Sequence, residues 1–256
     1  MRVFRAAFLR TWRKVLRRPV HLTFSLLQPM MWMLFFGFLF ERFTSLPAAG
    51  VSYPTFLVPG LCAMTALFAA SQSGIGWIRD DHSGFLARQL ATPARPEALL
   101  AGKLAADGSR FLLQALAVFA LGAAVGAGPF QYRLASLLAA VLGLLLFAAA
   151  LSLISTTIAL TARNQETMAT FVHLVNMPLL FTSTALVPRR QMPDWLASVA
   201  PWNPLTLAVD GLRRALLEGL PPAGGGLLVL ALLAAFLFVA ALTALRRLAR
   251  RGDPRP

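Results

Sequence analysis

Long apolar runs separated by short polar passages dominate the chain. Six runs have the length of about 20 residues that a helix needs to cross a bilayer. They cover about 20–40, 55–78, 104–125, 134–160, 168–187 and 227–245. The pattern predicts an all-α integral membrane fold with six transmembrane helices. The first run is too long for the apolar part of a signal peptide, so it reads as a retained span. It carries Gln28-Pro29, and Pro29 has no N–H to give, which predicts a kink. The second run ends small and polar at Ser71–Gly76, and the fourth is long enough to tilt. In the third, Asp107 and Arg110 can pair across one turn, and Gly122 and Gly126 form a small-xxx-small pair that permits close approach. The fifth holds His173, Asn176, Thr182, Ser183 and Thr184. Polar groups in a span face other helices or a water-filled path, although hydroxyls also bond their own backbone carbonyls.

Three polar passages have structure of their own. In Met1–Arg18, Val3, Phe4, Phe8, Leu9, Trp12, Val15 and Leu16 mark one helical face, and seven cations fill the rest. That is a basic amphipathic helix for the headgroup region, residues 1–18, ahead of a membrane domain over 19–256. The passage Arg79–Lys103 mixes four cations and three anions. Within it Phe85, Leu86, Gln89 and Leu90 fall at helical spacing with Arg88 on another face, and Thr92-Pro93 closes the helix. Such a segment suits a lever pressed by a soluble partner; it equally fits a solvated loop with one turn of interfacial helix. The third passage, Pro188–Gly226, has a short amphipathic piece at Met192–Ser198. A clear helix then opens at Asn203-Pro204, asparagine as N-cap and proline at the first helical position. Leu205, Ala208, Val209, Leu212 and Leu216 form its apolar face. Asp210–Arg214 and Arg214–Glu218 are expected as i,i+4 pairs, and Gly219 stops the helix.

Composition and charge sharpen this picture. Apolar residues make up 57% of the 256-residue chain, above the soluble norm, and the net charge is +14. The cations flank apolar runs, so lipid headgroups rather than nucleic acid are the expected counter-ions. With six spans both termini share one side. That side carries eighteen cations against six on the other, which places the termini and Arg79–Lys103 in the cytoplasm. The Arg213-Arg214 pair outside is a local disagreement. The single cysteine, Cys62, excludes an internal disulfide and reads as a small buried hydrophobe.

Little in the chain suggests chemistry. Gly102-Lys103 is not part of a phosphate-cradling loop, since Leu104 follows and the earlier glycine is missing. None of the ten acidic residues lies mid-span, which argues against an ion-driven transporter, with His173 the one residue in its favour. His21, His82 and His173 fit no metal spacing. No enzyme activity, metal or bound cofactor is expected. A membrane protein without an energy source, carrying a helix on its basic side, suggests a gate driven by a separate motor.

Several segments resemble the permease family of ABC type-2 transporters, especially its drug-resistance, daunorubicin-exporter-like branch. They are the basic entry into the first run with Gln28-Pro29, then Val58-Pro59-Gly60, then Asp80 and Asp81 followed by Gly84, Arg88-Gln89-Leu90 and Pro93. Leu186-Val187-Pro188, Pro193-x-Trp195-Leu196 and Pro201-x-Asn203-Pro204 complete the match, with Arg213 spaced from Asp210. The resemblance implies a permease that pairs with a second copy, as a homodimer, and binds two cytoplasmic ATPase subunits, which hold ATP and Mg. Asp80, Asp81, Gly84, Phe85, Arg88, Gln89, Leu90 and Pro93 would form the coupling helix and its flanks. Short re-entrant helices carrying Pro193, Trp195, Asn203, Pro204 and Arg213 would roof the exit. Gln28, Asn176, Thr182 and Ser183 would lie along the path. His82-Ser83 departs from the family's pattern before Gly84, which leaves the coupling carboxylate open between Asp80 and Asp81. The implied activity is ATP-driven export of a small amphiphile or drug across a bacterial inner membrane. Export of a lipid-linked glycan or polysaccharide is the alternative on the same fold; an ion-coupled transporter and a membrane scaffold are further rivals.

Overall fold

A computed structural model describes residues 2–16, 27, 29–37, 39, 52–92 and 95–251. Gln28, Pro93 and about half of the first apolar run lie outside the described residues. The helices in order are α1 (Arg2–Leu16), α2 (29–37), α3 (Tyr53–Ser71), α4 (Ile75–His82), α5 (Phe85–Leu90) and α6 (Pro96–Ala124). They continue as α7 (Leu134–Ala162), α8 (Gln165–Phe181), α9 (Asp194–Val199), α10 (Pro204–Arg213) and α11 (Gly224–Arg251). Among the described residues, four stretches are long and apolar enough to cross a membrane: Tyr53–His82, Pro96–Ala124, Leu134–Ala162 and Gly224–Arg250. α8 has 17 residues, at the lower limit for a span.

The centre of the bundle is α3. Leu57, Val58, Leu61, Ala63, Ala66, Leu67 and Ala70 are fully buried, wrapped by α6, α7, α8 and α10. Such all-round burial fits a helix that is apolar on every face. Gly60 lets the segment after α8 come against it: a methyl group there would lie 2.1 Å from the carbonyl oxygen of Ala185. Gly122 admits Val58 in the same way, while Gly126 ends α6 at a positive φ of 92°. The expected glycine pair is thus one packing contact and one turn.

The small polar end of the second run is a break, not a continuation. Helix gives way at Gln72–Gly74 and resumes as α4. Ser155 of α7 fills the gap, donating to the carbonyl of Ser71 at 2.6 Å and accepting from the Gly74 N–H at 2.9 Å. Backbone groups freed inside a bundle need such partners.

The polar passage Arg79–Lys103 differs from the expected loop. It contains the end of α4, all of α5 and the first two turns of α6. α6 begins eight residues before the apolar run at Leu104, because Pro96 at the first position and Glu97 in the first turn favour a helix start. Hydropathy alone places the boundary where the apolar residues begin. α11 likewise outruns its apolar stretch at both ends.

A second apolar cluster gathers Ala7, Trp77, Ile78, Leu86, Leu99, Leu160, Met168 and Leu245. It therefore joins α1, α4, α5, the start of α6, the α7–α8 turn and the end of α11. These are the segments assigned to one side of the membrane by their cations, and the fold brings them to one end of the bundle.

Candidate coupling site

At this end the organising residue is Asp80. Its carboxylate is buried, 7% exposed, and receives a two-pronged bond from Arg10: Nη1 to Oδ2 at 3.1 Å and Nη2 to Oδ1 at 3.0 Å. The Lys103 ammonium lies 3.7 Å from Oδ2. The planar guanidinium matches the carboxylate fork, the strongest common geometry for such a pair. Both cations also sit over aromatic rings, Arg10 at 3.3 Å from the centre of Phe85 and Lys103 at 3.9 Å from that of Trp77. Four helices meet here: α1 gives Arg10, α4 gives Trp77 and Asp80, α5 gives Phe85, and α6 gives Lys103.

α1 reaches this point because Gly102 has no side chain. A methyl there would lie 2.7 Å from the Phe4 carbonyl oxygen, so α1 beds directly on α6. Trp12 fixes the other end of the contact, its Nε1 donating to Ser109 Oγ at 2.7 Å. Arg10, expected on the solvated face, is turned into the protein.

Asp81 points the other way, to Arg163 at 3.7 Å. Arg163 caps α7 with a positive φ of 51°, and its carbonyl oxygen lies 3.3 Å from His82 Nε2. Glu97 at the start of α6 pairs with Arg246 of α11. These pairs tie the end of α4 to that of α7 and the start of α6 to α11. Asp80 is inward and Asp81 is bound to the α7–α8 turn.

Gly84 caps α5 in the left-handed conformation, φ 64°, which an L side chain adopts only with strain. Leu86 is fully buried in the second cluster, and Gln89 and Leu90 are half-buried. The apolar face of α5, expected to meet a partner, is occupied by the chain itself. His82, Ser83, Gly84, Ala87 and Arg88 are the exposed positions. The reason is spacing: a six-residue helix buries one side, and Leu86 is the residue that it turns into the second cluster.

The residues expected along a path fall deeper. Asn176 is fully buried and accepts from Ser71 Oγ at 2.6 Å, tying α8 to α3. Its Nδ2 has no partner among the described residues. Thr182 donates to Pro178 of its own helix, as hydroxyls in spans commonly do. Ser183 does the same to Leu180. Ser73 donates to Asp107, which pairs with Arg110 at 3.7 Å as the spacing predicts. Cys62 is buried.

At the far end Asn203 is the expected N-cap of α10, accepting from Leu205 N–H, with Pro204 next. Its Nδ2 also donates to Leu179 O at 2.7 Å and to Thr182 Oγ1 at 2.8 Å, which anchors α10 to the end of α8. Pro193 and Trp195 are exposed at α9. Arg213 is turned inward. It lies 3.7 Å over Phe56, donates to the carbonyl oxygens of Ala185 and Phe56 at 3.1 and 3.4 Å, and pairs with Asp210 at 3.6 Å. The expected Asp210–Arg214 pair is replaced by this Asp210–Arg213 contact, because the backbone widens to a π turn from Arg214. Arg214–Glu218 stands at 3.9 Å. Arg213, one of the two cations that disagreed with the charge count, is thus an internal clamp between α3, α10 and the segment after α8. Replacing Arg213 by Met should leave those carbonyls unpaired and cost about 2 kcal/mol, read as a lowered apparent Tm in detergent.

Arg10, Lys103, Ser155 and Thr184 went unnoticed in the sequence. Arg10 is one of seven cations in α1, and nothing in its spacing separates it from the rest. Thr184, which bonds Asp210 at 2.8 Å, looked like any hydroxyl in a span. Gly102 was the available signal, a lone glycine where a helix would otherwise place a side chain. Among the described residues no cluster of histidine, cysteine and carboxylate could hold a metal.

Long apolar helices around α3, with charged ends gathered on one side, define a polytopic membrane protein. Residues 2–217 match the ABC-2 type transporter family, and the chain belongs to that family of transport permeases. It is 31% identical to a putative transport permease, ycf38, of Porphyra purpurea, over 80% of this chain and 69% of that one. It is similar at 27% to the daunorubicin resistance ABC transporter permease protein DrrB1 of Streptomyces coeruleorubidus, over 77% and 68%. The same ycf38 permease of Cyanophora paradoxa matches at 31% over 77% and 68%.

Proposed function

We propose that this chain is the permease subunit of an ATP-driven exporter that moves a small amphiphilic compound outward across a bacterial inner membrane. The supporting observation is the ion-paired end of the bundle, where α5 joins α1, α4 and α6 around Asp80 and shows Ala87 and Arg88 to the outside. A push there is received by a braced assembly. Similarity to a daunorubicin resistance permease favours an amphiphilic cargo.

In this reading two copies of the chain form a homodimer and two cytoplasmic ABC ATPase subunits bind beneath them. ATP and Mg belong to those subunits. The first apolar run and α8 complete six spans, and both termini are cytoplasmic. α9 and α10 re-enter the outer leaflet. Arg88, with His82 to Gly84 beside it, meets the ATPase; Asp80 and Asp81 position that surface from behind. Cargo passes near Gln28, Asn176, Thr182 and Ser183 after α8 draws away from α3.

The test is co-reconstitution with a soluble ABC ATPase that co-purifies with the chain. Arg88→Glu should reduce cargo-stimulated ATP hydrolysis about tenfold while leaving the apparent Tm of the permease unchanged, since Arg88 is exposed. Undiminished stimulation would exclude α5 as the contact. Transport by the permease without any ATPase would overturn the whole reading.

A further inference from the structure

The end of the bundle opposite α1 holds a cavity of about 250 Å³ between α7, α10 and α11. Ala140, Gly143 and Gly226 leave the space, Leu227 greases it, and Asp210 and Arg214 supply its charge. Gly143 comes nine residues after Leu134, the first residue of α7, so it lies about 14 Å down that helix. Half of a bilayer's hydrocarbon is about 15 Å thick. Gly143 is the farther of its two α7 residues from the start of that helix, so the cavity lies within one leaflet's length of the start of α7.

Its two charged residues are only partly used. Arg214 has one partner among the described residues, Glu218, through Nε at 3.9 Å. Its two terminal amino groups have none there, and the side chain is 40% exposed. The contacts of Asp210 to Thr184 and Arg213 both fall on Oδ1. Oδ2 takes none among the described residues. One turn of helix therefore offers a guanidinium fork for an anion and a carboxylate oxygen for a cation that carries N–H groups. A phosphate joined to a primary ammonium through two carbons satisfies both. A quaternary ammonium has no N–H to donate, and a glycerol headgroup has no cation.

We propose that this cavity binds the headgroup of an ethanolamine phospholipid, phosphate on Arg214 and ammonium on Asp210, with its chains lying along α11. The depth along α7 and the apolar lining favour a lipid over free phosphoethanolamine. Binding needs neither ATP nor a direction of transport, so it stands apart from the exporter reading. Lost transport with intact lipid binding would overturn only that reading.

The experiment is native mass spectrometry of the full chain, purified in detergent and stripped of lipid. Dioleoyl phosphatidylethanolamine, phosphatidylcholine and phosphatidylglycerol are titrated in turn, and free phosphoethanolamine beside them. The ethanolamine lipid should bind about tenfold tighter than the other two. Arg214→Gln should weaken binding of all three lipids alike, since each carries the phosphate, and Asp210→Asn should remove the preference. So should Gly226→Leu, which fills the space; a Cβ there meets Leu207 at an ordinary 3.6 Å. Equal binding of the three lipids overturns the proposal, as does a preference that survives Asp210→Asn and Gly226→Leu. Free phosphoethanolamine binding as tightly as the lipid overturns the lipid assignment. The ranking on the unaltered chain decides the matter even where a variant is unstable.

Discussion

Asp80→Ala should be among the most damaging single changes in the coupling end. It removes the carboxylate that Arg10 and Lys103 share in a largely buried site. Deleting one member of a buried ion pair costs about 3–5 kcal/mol, because the remaining charge keeps its desolvation penalty without its compensation. An apparent Tm in detergent should fall by roughly 10 °C. Arg10→Ala should cost less, since Lys103 still neutralises Asp80. Replacing both members, Arg10→Met with Asp80→Asn, should recover part of the loss. A double-mutant cycle that shows independent effects would contradict the shared-carboxylate arrangement.

Gly60→Val should be comparably severe for a steric reason. A methyl at Gly60 already lies 2.1 Å from the backbone oxygen of Ala185, and the branched side chain adds two more carbons. The neighbour is backbone, so no side chain can swing aside. Separating α3 from the segment after α8 also breaks the Tyr53 bond to Leu186 O and the Arg213 bond to Ala185 O. Overpacking in a close-packed interior commonly costs 1–3 kcal/mol, and this contact should reach about 3 or more. Purification yield and apparent Tm measure it. Gly60→Ala should show a smaller version of the same loss; a normal Tm in both would mean that α3 and Ala185 are not in contact.

The parts of this fold that were readable are those set by solvent preference. Apolar runs located α3, α6, α7 and α11, and Asn203-Pro204 located α10, because those signals are local. The break at Gln72–Gly74 was half-visible: the small polar residues showed, but the partner, Ser155, lies 81 residues away from Gly74. The partners of Asp80 were hidden for a similar reason. Charge counts say which side a cation occupies, not which carboxylate it finds. The apolar face of α5 gave the opposite lesson. Its spacing correctly predicted a helix, yet periodicity cannot say whether a face meets the same chain or another one, and here Leu86 meets its own. Hydropathy also missed the first two turns of α6, where helix is favoured by Pro96 and Glu97 in residues too polar to enter lipid.

α6 and α7 each run unbroken for 29 residues, about 43 Å, while the path through α4 and α3 is jointed at Gln72–Gly74. Continuous helices act as struts, so tilting the charged foot of the bundle carries their distant tips along with little loss. Bending concentrates instead in the jointed column, at three residues tied to both struts, Gly74 to Ser155 of α7 and Ser73 to Asp107 of α6. The molecule is therefore braced on two sides and jointed in the middle, and in the coupling reading proposed above a force at its base would slide the centre against its frame.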